Sequence, residues 1–422
     1  MNRYYYTCMR TFMLVGAFVV SFCVANATSS KKELVITARG AVGDSVTLNT
    51  KVIQASIDSL FKIGGGTLVV PKGIFLTGAL YLKQGVDVRI EEDGVLKGST
   101  NVEDYPAIDR RIEGHIEPHF CPALINAYGI KHLKITGKGT IQGGGQVFWT
   151  AFFTKRQADK KTRNLDVYRP QNLFLQDCTD AIVSGLKLRC AGFWNFHLYR
   201  CKNVTIENLD IQTPKGAPST DGIDVDGCQY IYIKGCYISV DDDCIALKGG
   251  KGINALDDTE HNLPTEYIYI SNCTFNLGNG AVTLGSEATI IRHVKMSDCK
   301  LEGTSHCTLI KIKVRTDTPQ TYDDITITDI VGNGNYGIIG LAGWSQYKDT
   351  KGLPDPAHTV SNITIKNVTG TFADFGEINP PENTELSNIN LSNIHIKTLS
   401  PKYKYNVEGK KGVTVTDVVI TQ

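Results

Sequence analysis

The sequence predicts an all-β chain: a single-domain parallel β-helix with a helix capping its amino-terminal end. Three observations predict it. A short pattern recurs nine times between Leu133 and Asp417, reading apolar, any, apolar, any, then Asn, Asp or Gly. One segment of helical period precedes these copies, and no evenly spaced hairpins interrupt them. The copies are unevenly spaced, which suits a solenoid whose turns tolerate insertions better than a strict-period repeat.

The cap comes first. Gly40 to Asp44 reads as a turn, and Thr50 to Phe61 places Val52, Ile53, Ala55, Ile57, Leu60 and Phe61 largely on one helical face. Gly64-Gly65-Gly66 stops that helix, and Thr67 to Val70 before Pro71 reads as a strand and turn. A helix here covers apolar core and unpaired strand edges that an open solenoid end exposes. The cap region is taken as residues 28–100 and the β-helix domain as 28–422.

The repeats follow, for example Leu133–Gly137, Ile231–Gly235, Ile268–Asn272, Ile363–Asn367 and Val413–Asp417, with a degenerate copy ending at Gly185. From Gly185 onward successive bend residues lie 23 to 38 apart, a coil of about 23 residues enlarged by loops in some turns. Period-2 alternation sends the apolar residues inward. The Asn, Asp or Gly sits at a bend that needs a left-handed or side-chain-bonded backbone.

Twelve cysteines are present, two of them, Cys8 and Cys23, in the first 27 residues. Cys178, Cys201 and Cys228 each precede a bend by seven residues, and Cys236, Cys273 and Cys299 each follow one directly. Inward ladders of three thiols cannot pair completely, so these six read as small buried hydrophobes. Disulfides among Cys121, Cys190, Cys244 and Cys307 stay open. Sequons at Asn203, Asn272, Asn362 and Asn367 fall in or beside repeat strands, which argues against glycosylation there.

The amino terminus reads as an export signal over residues 1–27: Arg3 and Arg10, an apolar stretch from Thr11 to Val24, then Ala25-Asn26-Ala27 as the cleavage site. No later apolar run approaches the roughly 20 residues of a membrane span, so no membrane anchor is expected. Removing the signal shifts the formal charge from +1 to −1, which argues against a nucleic-acid partner.

Insertions at Asp104–Phe120, Trp149–Arg169, Lys251–Glu266 and Ala342–Val360 are expected to wall a cleft. His115 and His119 lie in the first of them. The candidate chemistry lies in S-T-D-G-I-D-V-D-G and V-D-D-D-C-I-A-L-K. Asp221 and Asp242 are 21 residues apart, close to one coil, so they are expected on adjacent coils about 4.8 Å apart. Asp221, Asp242 and Asp243 held together would repel, and their pKa values would separate, giving one site both an acid and a base. Solvated turn aspartates are the plainer reading. Adjacent strand residues point to opposite faces, so a bend is required for both Asp242 and Asp243 to reach the cleft.

These segments resemble glycoside hydrolase family 28, the polygalacturonase-like pectin hydrolases, over nearly all of the mature chain. Ser219-Thr220-Asp221 is similar to the family's N-T-D, and Asp242–Ala246 to its G-D-D-C-I-A. Gly278-Asn279-Gly280 with Leu284–Glu287 resembles its G-H-G and G-S-E, and Lys311-Ile312-Lys313 its R-I-K. Ser219, Asn279 and Lys311 depart from the pattern, and none of these changes removes a carboxylate. The resemblance implies a right-handed, pectin-lyase-like β-helix, secreted, that cleaves galacturonate-containing pectic polysaccharide by inverting hydrolysis without a cofactor or metal. Polygalacturonase, exo-galacturonosidase and rhamnogalacturonan hydrolase activities all fall within it, and a monomer is expected.

By the same resemblance Asp242 is the general acid, and Asp221 and Asp243 hold and deprotonate the water. Asn279, Lys311, Lys313, Arg315, His197 and Trp194 are the expected substrate contacts. Lys311, Lys313 and Arg315 share one strand face suited to a uronate carboxylate, or to an ordinary exposed face. His197 and Trp194 suit sugar contact or core equally. Register places Asn279 beside Asp242 on the next coil. Two other classes stay open on the sequence: a uronan lyase using Ca²⁺ and a non-catalytic carbohydrate-binding β-helix.

Overall fold

The computed structural model describes residues 32–344 and 348–422. The expected export signal, residues 1–27, lies outside the described residues. Residues Lys32–Gln422 form one compact unit, a right-handed parallel β-helix. Its core is built from columns of stacked apolar side chains, of which three stand one on each face of the coil. One column runs Ile125, Leu173, Phe196, Ile223, Ile245, Val282, Ile310, Ile339. A second runs Ile135, Val183, Ile206, Ile233, Ile270, Met296, Ile327, Ile365, Leu391. The third runs Ile141, Leu188, Ile211, Ile238, Phe275, Leu301. Apolar residues on alternate positions make this core continuous, because each coil packs on its neighbours.

The expected bends are left-handed throughout: Gly137, Gly185, Asn208, Gly235, Asn272, Asp298, Asp329, Asn367, Asn393 and Asp417 all have positive φ. Asn and Asp tolerate that conformation and bond locally. Across coils their amides link, Asn393 to Asn367 and Asn367 to Asp329, each at 2.8 Å.

The capping helix α1 (Thr50–Lys62) buries Ile53, Ile57 and Leu60 against the first coils. The first insertion folds as an antiparallel hairpin, β1 (Ile108–Ile112) and β2 (His115–Phe120). The second is not a plain loop as expected. It carries helix α2 (Gln146–Ala158), which buries Phe148, Trp149 and Phe152. Its apolar residues spread around the helix, with Val147 and Phe153 exposed, a weak periodic signal beside the repeats.

Strands that position the site are β3 (Phe196–Tyr199), β5 (Ile223–Asp226), β7 (Ile245–Gly249), β9 (Gly280–Ala288) and β10 (Ile290–Arg315). Between them on the next face lie β4 (Lys202–Glu207), β6 (Gln229–Lys234) and β8 (Thr265–Ser271). All ten cysteines of the described residues are free thiols, so the disulfides left open do not form. The expected ladders are present, with the Cys201 amide donating to Cys228 Sγ at 3.2 Å and Cys273 to Cys299 at 3.4 Å.

Candidate active site

Three backbone ladders deliver the acidic residues to one place. Asp221 stands just before β5, and its carbonyl accepts from the Asn195 amide at 2.8 Å. Asp243 lies one coil on, its carbonyl taking the Gly222 amide at 3.0 Å. The Asp242 carbonyl takes the Asn279 amide at 2.9 Å. Residues 241–244 form a bend ahead of β7, which removes the alternation that would send Asp242 and Asp243 to opposite faces. One carboxylate oxygen from each of Asp221, Asp242 and Asp243 lies within 4.8 Å of the others.

Their surroundings differ. Asp243 is buried and receives Lys311 Nζ on Oδ1 at 3.2 Å and Lys313 Nζ on Oδ2 at 2.9 Å. Burial alone would raise its pKa; the two lysines outweigh that and hold it well below the usual carboxylate range. Asp221 is as deeply buried but lacks such a pair. Burial first, then the negative charge of Asp242, pushes its carboxyl well above the usual range. Asp242 is the most accessible of the three and lines the cleft. Its Oδ1 accepts from the Asp243 amide at 3.0 Å and from Asn279 Nδ2 at 3.1 Å. The stack of Asn279 beside Asp242 is the one read from register, with Leu247 opposite Leu284. The site thus holds one carboxyl that keeps its proton to higher pH than an ordinary aspartate, and another that loses it at lower pH.

The cleft encloses about 680 Å³ and includes Trp194, Asn279, Lys311, Lys313 and Arg315 among its walls. Lys311 and Lys313 face the cleft as expected, but both already pair with Asp243, leaving one surplus positive charge between them. Lys313 also lies over the Trp344 ring, 5.1 Å from its centroid. Arg315 does not join them. It turns to Glu287 at 3.2 Å and Asp317 at 2.6 Å, carboxylates that compensate its burial at the strand end. Trp194 is buried at the cleft wall with Lys248 Nζ 4.6 Å over its ring.

His197 is a correction. It lies fully buried between Phe174 and Trp194, 3.5 Å from Asp226, where no sugar reaches it. Burial lowers its pKa to about 4, so the ring is a neutral packing element.

Several residues of the site were not singled out in the sequence. Lys248, buried, lies within 4 Å of Glu113, Asp224 and Glu287; burial would lower its pKa, and those carboxylates outweigh it. Its signal was present: it stands opposite Asp226 in register and so faces outward with it. Arg169 donates to the Pro218 carbonyl at 2.6 Å and to Ser219 Oγ at 3.2 Å, fixing the turn before Asp221. It arrives from an insertion, and nothing local in the sequence announces that.

Glu113 is the third. It and Gly114 form the two-residue turn between β1 and β2, both with positive φ, the hairpin turn that matches strand twist. A Cβ on Gly114 would fall 2.3 Å from the Gly250 Cα, so only glycine lets the tip dock. The Glu113 amide donates to Asp226 at 3.0 Å, and its carboxylate meets Lys248 at 3.2 Å and Lys251 at 3.7 Å. Arg111 ties the hairpin to Asp258 of the third insertion at 3.0 Å.

The triplet is the acidic group among the described residues whose oxygens converge closely enough for a cation, and Lys311 and Lys313 supply countercharge to it. No described helix is long and apolar enough to cross a membrane.

Known proteins resemble this one in sequence and shape. Over 258 residues it is 31% identical to a probable polygalacturonase of Vitis vinifera, spanning 59% of this chain and half the length of that protein. Over 349 residues it is 27% identical to an exopolygalacturonase of Zea mays, spanning 80% of this chain and 76% of that one. The fold matches the crystal structure of a hyperthermoactive exopolygalacturonase from Thermotoga maritima with a TM-score of 0.73 at 21% identity, over 92% of each chain. Residues 62–421 match the family described as Glycosyl hydrolases family 28. The chain, a glycoside hydrolase on a parallel β-helix, belongs to that family.

Proposed function

We propose that this protein is an exo-acting hydrolase of galacturonate-containing pectic chains, releasing sugars from a chain end with inversion. The observation that carries exo action is the docked hairpin tip: Glu113 and Gly114 bar the cleft on the Lys248 side, pinned to two other segments. A polymer lying across Asp242 would meet that wall, whereas a chain terminus fits against it. The relatives called exopolygalacturonases support the same reading.

Asp242 delivers the proton to the leaving oxygen because it is the accessible carboxyl of the three. The buried, proton-retaining Asp221 has a carboxylate oxygen within 4.8 Å of it. Asp243, kept ionised by Lys311 and Lys313, accepts the proton of the attacking water. The carboxyl groups lie closer than the roughly 6.5–9.5 Å usual for inverting pairs, so the product anomer is the decisive measurement. The surplus charge of Lys311 and Lys313 suits a uronate carboxylate on the leaving side. The reading includes export after cleavage near Ala27, action as a monomer, and no metal or cofactor.

The test is proton NMR of early products from defined galacturonate oligomers and polygalacturonate. The expected result is a single released sugar, first seen as the inverted anomer, with slow loss of polymer viscosity. Rapid viscosity loss with mixed oligomers overturns exo action. Retention of configuration overturns the single displacement, and an ultraviolet-absorbing unsaturated product makes the protein a lyase.

A further inference from the structure

Around the corner from the cleft, β6 and β8 carry an aromatic ladder that the catalytic reading does not use. Tyr230 and Tyr267 stack with ring centroids 4.6 Å apart and planes within 6°, and His293 continues the stack at 4.7 Å. Beside it, Tyr232 and Tyr269 stack at 5.2 Å and 10°. Tyr230, Tyr267 and His293 all hold left-handed backbone, with φ near +57°, +59° and +55°. Bulky residues seldom adopt it. On neighbouring coils the same position is Asn203 on one side and Asp324, Asn362 and Asn388 on the other, residues that accept it readily.

The ladder ends abruptly. On the preceding coil, Thr205 stands opposite Tyr232 and Asn203 opposite Tyr230, both short. The drop creates a groove of about 490 Å³ whose wall is formed by Tyr230 and Tyr232 and whose floor is Thr179, Asp180, Lys202 and Asn203. No residue of this groove lines the cleft. Tyr232 remains 37% exposed. Lys202 Nζ stands 5.5 Å from the Tyr230 centroid and has no carboxylate partner among the described residues, whereas Asp180 is engaged by Asn203 and His132.

We propose that this groove is a second carbohydrate-binding site, taking a uronate-bearing sugar as the next rung of the tyrosine stack. The flat C–H face of a pyranose continues the stack against Tyr232, and Lys202 meets the carboxylate. Its function is to hold the polymer while the cleft works on a chain end. The choice of a uronate polymer as probe rests on the proposed substrate; the site itself rests on the ring faces and the unpaired lysine.

The experiment is native affinity electrophoresis of the full protein bearing Asp242→Asn, in gels containing polygalacturonate or a neutral galactan, with Tyr232→Ala or Lys202→Met added. Circular dichroism and melting temperature accompany each variant, and Lys202→Met keeps the test valid should Tyr232→Ala misfold. The expected result is at least fivefold weaker retardation by polygalacturonate for each added change. In the otherwise native enzyme, kcat/KM on a galacturonate trimer should stay within twofold. Unchanged retardation in both variants overturns the site. Equal retardation by the galactan, untouched by Lys202→Met, overturns its uronate preference. Failure of the trimer to be hydrolysed at all rejects the proposed function and leaves the gel measurement standing.

Discussion

The coils around Asp221–Glu287 and those from Asp324 to Asp417 are built from the same strand–bend unit, yet their outward faces have opposite fates. In the carboxy-terminal coils the bends carry Asn and Asp in exposed or half-buried amide ladders, Asn393 to Asn367 to Asp329. In the catalytic coils the outward residues Asp221, Asp224, Asp226, Asp243 and Lys248 are buried, Asp226 and Lys248 against the docked hairpin. Burial makes charged groups expensive unless paired and moves their pKa values apart. The difference teaches that chemistry here comes from covering one face of a repetitive scaffold.

The sharpest break of that contrast is Asp242→Asn. The amide fills the same space without a transferable proton, so turnover should fall by about 10²–10⁴-fold while the fold stays intact. A loss under tenfold rejects Asp242 as the acid. The equivalent exchange in the far coils, Asp417→Asn, should leave turnover unchanged.

Next comes Lys313→Met. It removes one of two cations from Asp243, so kcat should fall about 10- to 100-fold, and more on uronate oligomers than on a neutral analogue. The sign on pH is fixed: Asp243 loses stabilisation of its ionised form, its lowered pKa rises, and the acid limb of the pH–rate profile moves up. An unmoved acid limb means Asp243 is not the base.

Asn279→His should change shape more than height. A protonated imidazole in place of the Asn279 amide favours ionised Asp242, so the alkaline limb should move down. An unshifted profile on every substrate leaves Asn279 as a turn residue between two glycines.

The smallest effect belongs to the uncovered coils. Asn393→Ala removes one amide bond and puts a residue that tolerates left-handed backbone less readily in its place, costing about 1–2 kcal/mol in denaturant titration with no change in kcat. A change in kcat would mean the far coils couple to the site.

Much of this was legible before the structure. The repeat, the bends, the capping helix and the cysteine ladders follow from alternation and from which residues tolerate positive φ, both local properties. The convergence of Asp221 with Asp242 and Asn279 was also legible, because stacking coils turns sequence spacing into register. What only the tertiary structure decided came from the insertions and from outward side chains. Helix α2, the docking of Glu113 on Lys248 and Lys251, and the seat of Arg169 under Ser219 depend on how long segments of no fixed period pack back on the coils. So do the withdrawal of Arg315 to Glu287 and the burial of His197. A solenoid prescribes its inside by repetition; its outside is set by which charged groups the covering segments bury, and a buried charge takes whichever counterion lies within reach.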